Sequence, residues 1–220
     1  MGYNIAIDGP AGAGKSTIAK LVAKELGYIY VDTGAMYRGM AIHFLQQKIG
    51  GEEKEKIAEA SRNANVSIAY EDGAQQIYLN GENVTAKLRE EAVGNMASVS
   101  SAVPEVRGQL LALQRNLAQK ENVVMDGRDI GTNILPHADT KIYLTASVET
   151  RAKRRFLELE QKGVMCNMED IAKDIEERDY RDMHRDIAPL RQAEDAIYVD
   201  SSNMTIEEVV KEILSHCKGR

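Results

Sequence analysis

The segment Gly9-Pro10-Ala11-Gly12-Ala13-Gly14-Lys15-Ser16 fits Gly-x4-Gly-Lys-Ser/Thr, and no other feature narrows the fold of this chain so far. The motif works only between a strand and a helix. The apolar run Tyr3-Asn4-Ile5-Ala6-Ile7 precedes it, and the helical pattern Thr17-Ile18-Ala19-Lys20-Leu21-Val22-Ala23-Lys24 follows it. Its glycines let backbone N–H groups turn toward an anion without a side-chain clash. The helix that begins at the loop adds its own unpaired N–H groups and its dipole. Lys15 adds a positive charge for the outer phosphates of a nucleotide, and the Ser16 hydroxyl can ligate Mg2+. The alternative is a glycine-rich turn that binds nothing, and the strand-loop-helix context argues against it.

Strands and helices alternate along most of the chain. Short apolar segments at Asn4–Ile7, Tyr28–Val31, Val123–Met125, Ile142–Leu144 and Ile197–Val199 predict five strands. They are near-continuous rather than alternating, as strands covered on both faces are. Helices are predicted from Lys15 to Leu26, stopping at Gly27; from Thr33, which can cap its own helix; from Pro104; from Val148 to Gln161; from the N-cap Asn167 to a point before Pro189; and from Thr205, where Glu208 completes a capping box. The expected fold is α/β, a P-loop NTPase-like parallel sheet of about five strands with helices on both faces. Residues 65–103 break the rhythm. Val66–Tyr70 and Gln76–Leu79 predict antiparallel strands, Asn80-Gly81 a tight turn into a third strand at Asn83-Val84, and short helices follow.

Charge and composition exclude several classes. Lys and Arg total 28 against 34 Asp and Glu, a net charge of −6, so neither a polymeric nucleic acid nor a membrane surface is an expected partner. Cys166 and Cys217 form no CxxC pair and read as reduced thiols. His43, His137, His184 and His216 lack metal-ligand spacing and read as ordinary surface or helix residues. No secretion signal or membrane-length apolar run is present, so a soluble, cytoplasmic protein is expected.

Three further clusters carry chemistry. Asp32-Thr33-Gly34-Ala35-Met36-Tyr37-Arg38 lies at the carboxyl end of the second strand, where open parallel sheets bind ligands, and Arg38 can make a bidentate phosphate contact. Asp126-Gly127-Arg128-Asp129 follows the third strand. Its first Asp is a candidate to reach Mg2+ through one of the ion's own ligands, and its Arg and last Asp project with opposite charges. Arg151, Arg154 and Arg155 share one helical face, as do Arg178, Asp182 and Arg185. Two arginine-lined helices joined through Glu160-Gln161-Lys162-Gly163 suggest a lid that closes over phosphates. A solvated charged face is the plain alternative.

With these pieces assembled, nearly the whole chain resembles the bacterial-type cytidylate kinase family of P-loop nucleoside monophosphate kinases. The carrying residues are Ile7 to Thr17, Asp32 to Arg38, Asp126-Gly127-Arg128-Asp129-Ile130-Gly131 and Glu177-Arg178-Asp179-Tyr180-Arg181-Asp182. The resemblance implies phosphoryl transfer from ATP, with Mg2+, to CMP and dCMP by a single-domain kinase; nothing in the sequence suggests an obligate assembly, so a monomer is expected. It implies a core of residues 1–62, 104–150 and 190–220, a monophosphate-binding insertion at about 63–103 and a lid at about 151–189. ATP is implied at Gly9, Pro10, Ala11, Gly12, Ala13, Gly14, Lys15, Ser16 and Thr17, with Arg154 and Arg155 of the lid, and Ser16 at the metal. Thr33 stands where the family often has Ser and keeps the hydroxyl. The acceptor phosphate is implied at Arg38 and Arg128, its base at Ser98, Arg107 and Asp129, and its ribose at Asp182 with Arg185 nearby. Lys15, Arg128 and Arg178 are the implied catalytic residues. A kinase for another small acceptor and a nucleotide-binding protein without turnover stay open beside this reading; a regulatory GTPase is disfavoured because the chain has no Asn-Lys-x-Asp motif.

Overall fold

A computed structural model describes residues 2–217 of the 220-residue chain. Five parallel strands lie in the order β2-β6-β1-β7-β8. They are β1 (Asn4–Asp8), β2 (Ile29–Asp32), β6 (Val123–Gly127), β7 (Thr140–Thr145) and β8 (Ile197–Asp200). A second sheet is antiparallel, in the order β3-β4-β5: β3 (Val66–Glu71), β4 (Ala74–Leu79) and β5 (Glu82–Asn83). The helices are α1 (Lys15–Leu26), α2 (Thr33–Gln46), α3 (Lys54–Ser61), α4 (Glu91–Ser100), α5 (Pro104–Lys120), α6 (Val148–Gln161), α7 (Met168–His184) and α8 (Ile206–His216). All five predicted strands of the main sheet are present; β2 is shifted one residue along the chain, and the other four run one to three residues beyond their apolar cores.

The described chain forms two compact units. The first comprises Tyr30–Asn122 together with Gly2. Its core gathers Met36, Met40 and Phe44 of α2 with Ile57, Ile77 and Leu110, all shielded from solvent. The turn into β5 takes positive φ at both Asn80 (50°) and Gly81 (88°), the backbone that an Asn-Gly hairpin turn requires. Residue Asn65 seals the hairpin: its N–H donates to the Asn80 side chain and its carbonyl accepts from the Asn80 N–H, both at 2.8 Å.

The second unit comprises Tyr3–Ile29 and the chain from Val123 onward. Ile5, Ala6 and Ile7 of β1 are wholly buried between β6 and β7, which explains why this strand is apolar on both faces. Helix α1 buries Ile18, Ala19, Val22 and Ala23, and α8 buries Val209, Val210 and Ile213. The Thr205–Glu208 capping box predicted for α8 is present in both directions. Helices α6 and α7 pack against each other around Ala152, Ile171 and Ile175.

Two details depart from expectation. Asp32 rather than Thr33 caps α2: its carboxylate accepts the Ala35 N–H at 2.8 Å, and Thr33 becomes a buried first-turn residue. Asp32 still has extended backbone (φ −85°, ψ 99°), the conformation a cap needs, so the acidic residue reaches the third helical N–H first. The second departure is α3, which is not visible in the sequence because only Ile57 and Ala60 mark its apolar side.

Candidate active site

Strand β1 runs directly into the glycine loop. A Cβ on Gly9 would lie 1.9 Å from the Leu144 carbonyl oxygen, and its φ of +150° excludes other residues as well. No side chain caps α1 at Gly14 and its first turn carries no acid, so the amides that open the helix are left to a ligand. Lys15 is buried and donates to the Pro10 carbonyl at 2.8 Å. Burial first, and the Arg128 charge second, push its pKa down to about 7, against the pull of Asp126, Asp8 and Asp182. Arrival of a polyphosphate anion favours the charged ammonium again.

Behind the loop, the Ser16 hydroxyl donates to Asp126 Oδ2 at 2.8 Å. A hydroxyl and a buried carboxylate are hard oxygen donors, the set that Mg2+ prefers when it takes only one or two protein-side contacts and completes its shell with phosphate and water. The residues present therefore fit the ion. Among the described residues no cluster of three or more His, Cys, Asp or Glu could hold a metal by itself.

The arginines of α6 diverge in role although they share a face in sequence. Arg151 is buried. It donates to Asp179 Oδ2 at 2.5 Å, to the Ala11 carbonyl at 2.9 Å and to the Ala146 carbonyl at 2.8 Å. Asp179 Oδ1 in turn accepts the Ala11 N–H at 3.1 Å. One ion pair from α6 and α7 thus grips both main-chain groups of a glycine-loop residue. Arg154 donates to the Ser201 carbonyl at 2.7 Å, and its NH1 lies 4.0 Å from where a Cβ on Gly14 would sit. Arg155 turns outward to Glu158 at 2.9 Å, with about half of its side chain exposed. The expectation of three arginines pointing together is thereby corrected: burial selects Arg151 for the loop and leaves Arg155 on the surface.

Arg128 and Asp129 do not pair with each other. Arg128 Nε donates to Asp182 Oδ2 at 2.8 Å, and Arg185 NH2 donates to Asp129 Oδ1 at 3.1 Å. Asn133 Nδ2 donates to the other Asp129 oxygen at 3.1 Å. The two loop residues are crossed with two residues of the α7 end, Arg185 lying one step past the last helical residue as its C-cap. Burial raises the pKa of Asp182, but the Arg128 charge and hydrogen bond, then Arg178 and Arg185, outweigh it and hold the group below the usual carboxylate range. Arg178 therefore shares the electrostatic field of this network.

The remaining candidates lie in the first unit. Arg38 folds back over the opening turn of α2: its NH1 lies 3.4 Å from where a Cβ on Gly34 would sit, and Asp32 Oδ1 lies 3.1 Å from the same point. Gln75 of β4 fixes this turn, accepting the Asp32 N–H at 2.7 Å and donating to the Asp32 carbonyl at 3.1 Å. Arg107 is buried, sits 5.6 Å over the Tyr37 ring and donates to the Ser101 carbonyl at 3.2 Å. The Ser98 carbonyl accepts the Ser101 hydroxyl at 2.8 Å, leaving the Ser98 side chain outside that bond. Sequence reasoning missed Asp179 as a loop clamp, Gln75 and Ser201, whose partners lie tens of residues away, and Asn133, whose partner Asp129 is four residues back.

A parallel sheet whose first strand enters Gly9–Ser16 and whose next helix opens at Lys15 is the fold of the P-loop nucleotide-binding proteins. A family model described as cytidylate kinase matches residues 5–219. A protein named cytidylate kinase from Caldicellulosiruptor saccharolyticus is 53% identical over 211 residues, covering 96% of this chain and 93% of its own. Another of that name, from Bacillus cereus strain G9842, is 46% identical over 216 residues, covering 98% and 96%. The chain belongs to the cytidylate kinase family. Among solved structures, an uncharacterized protein from Eubacterium ventriosum aligns over 99% of each chain with a TM-score of 0.56 and 13% identity, a likeness of fold alone.

Proposed function

We infer that this chain transfers the terminal phosphoryl group of ATP to CMP, and to dCMP, giving ADP and the corresponding diphosphate. The observation that carries the reading lies within one unit: an uncapped α1 N-terminus with Lys15 and Ser16 stands in the same field as the Arg128–Asp182 pair, whose carboxylate Arg178 and Arg185 also act on. Such an array suits anionic donor and acceptor groups together.

Residues Gly9 to Thr17 bind the ATP phosphates, with Arg154 contributing from the lid formed by α6 and α7 and Arg155 joining it only on leaving its surface partner Glu158. Thr33, Arg38 and Arg128 bind the acceptor phosphate. Ser98, Arg107 and Asp129 read the base, and Asp182 with Arg185 holds the ribose. Ser16, with Asp126 behind it, holds Mg2+, which when bound with ATP neutralises phosphate charge. Lys15, Arg128 and Arg178 spread positive charge over the transferring group. The acceptor phosphate is itself an anionic nucleophile, so the reaction needs no general base, and alignment plus charge neutralisation carry it.

Donor and acceptor chemistry supports the base assignment. Cytosine presents an amine donor beside a ring-nitrogen acceptor, matched by a carboxylate and a guanidinium. Uracil reverses both positions, and a polar pocket left unpaired rejects an analogue by ~10^4-fold. The same reading makes the enzyme a cytoplasmic monomer of pyrimidine nucleotide metabolism with no membrane or nucleic-acid partner; among the described residues no helix is long and apolar enough to cross a membrane. The test is an ADP-release assay over a panel of acceptors with ATP and Mg2+. Turnover concentrated on CMP and dCMP supports the assignment. Equal kcat/KM for UMP, or turnover on a sugar or acid hydroxyl alone, overturns it.

A further inference from the structure

Asp8, the last residue of β1, is a buried carboxylate that no step of the reaction uses. Both of its oxygens are engaged by main-chain amides. Oδ1 accepts the Ile130 N–H at 2.8 Å, and Oδ2 accepts the Gly131 N–H at 2.7 Å. These are the two residues that follow Asp129. There the chain makes a wide turn, with the N–H groups of Asn133 and Ile134 both donating to the Asp129 carbonyl at 3.0 and 3.1 Å. The Asp129 carboxylate is held from its other side by Arg185 and Asn133.

Keeping Asp8 charged there is costly. Burial first, and the nearby Asp129 charge as well, raise its pKa to about 6 in spite of the two amides. A neutral acceptor would end this turn at lower cost, yet no neutral side chain accepts two diverging N–H groups on two separate oxygens as a carboxylate does. We propose that Asp8 is a positioning residue for acceptor discrimination: its bidentate tether on Ile130 and Gly131 fixes the Asp129 carboxylate at the angle that accepts the cytosine amine. The inference rests on the reading that Asp129 contacts the base. A displacement of about 1 Å at such a group costs up to 10^2-fold.

The test is Asp8→Asn. Asparagine keeps the shape but presents an NH2 group to one of the two N–H donors, so one end of the tether is lost. Loss of the buried charge offsets part of that, which favours folding of the variant. Steady-state rates are measured with CMP and with UMP, and KM for ATP is measured in parallel. The tether predicts that the CMP-to-UMP ratio of kcat/KM falls at least tenfold, through KM for CMP, while KM for ATP stays within twofold. A folded variant with the wild-type ratio overturns the proposal, and so does a parallel rise in both KM values, which is the signature of a merely structural role. If Asp8→Asn does not fold, the smaller Asp8→Ser is read the same way, and failure of both to fold overturns the proposal by making Asp8 a folding residue. A wild type that does not discriminate CMP from UMP defeats the base reading itself, and that result is visible before any variant is made.

Discussion

Removing the carboxylate of Asp179 tests whether the glycine loop is held by the helices that flank it. The Asp179 and Arg151 side chains are 10% and 5% exposed and meet at 2.5 Å. Deleting one member of such a pair leaves a buried charge without its partner, a loss of about 3–5 kcal/mol. The Ala11 N–H loses its acceptor in the same step. For a chain of this size each kcal/mol shifts Tm by roughly 2–4 °C, so Asp179→Ala is expected to melt about 6–20 °C lower. A double-mutant cycle separates the pair from its surroundings. In Arg151→Met with Asp179→Leu no charge remains to be stranded, so the double variant loses less than the sum of the singles, by about 2 kcal/mol or more. Melting curves and urea titrations measure the stabilities. Rates taken at a temperature where all variants are folded are expected to show KM for ATP rising more than KM for CMP, because Ala11 belongs to the glycine loop. A melting point within about 2 °C of wild type, or additive single effects, refutes the clamp.

Other consequences are as direct. The folded pKa of Asp8, about 6, lies above its ordinary 3.8, so its stabilising contribution is complete below 3.8 and is lost as pH climbs through 6. That gap corresponds to about 3 kcal/mol. The Tm of Asp8→Asn relative to wild type is therefore expected to rise by roughly 6–12 °C between pH 3.5 and pH 7.5; a pH-independent difference contradicts the assignment. Lys15→Ala and Arg128→Ala are each expected to lower kcat by about 10^2- to 10^3-fold with the circular dichroism spectrum retained, and near-normal turnover in either removes its catalytic role. Ser16→Ala is expected to raise the Mg2+ concentration for half-maximal rate by roughly 10- to 100-fold, read from a magnesium titration at saturating ATP, and an unchanged midpoint contradicts the ligand role.

Local signals wrote most of the fold. The apolar runs of β1, β6 and β7, the Asn80-Gly81 turn, the proline opening α5 and the Thr205–Glu208 capping box are each decided by residues within a few positions of one another. The glycine loop was legible for the same reason, since its phosphate chemistry belongs to the main chain of one continuous segment. The side-chain network around it was less so. Helical spacing puts Arg151, Arg154 and Arg155 on one face but cannot say that Asp179 lies opposite the first of them and Glu158 beside the last. It placed Arg185 on α7 with Arg178, whereas the helix ends at His184 and Arg185 reaches Asp129 from the C-cap. Asp8 bonds to residues more than a hundred positions away, and nothing in the run Ile5-Ala6-Ile7-Asp8 announces a carboxylate with two amide partners. The Asp32 cap was missed because Thr33 and Asp32 are both good caps, and only the backbone angle selects between them.

A single-turnover experiment with ATP labelled at its γ-phosphate, excess enzyme, CMP and Mg2+ follows the phosphoryl group itself. The account predicts that label leaves ATP and appears in CDP in amounts equal to the ADP formed, and that Lys15→Ala slows both together. Label recovered as inorganic phosphate, or retained on ATP while CMP is present and the protein is folded, would contradict it.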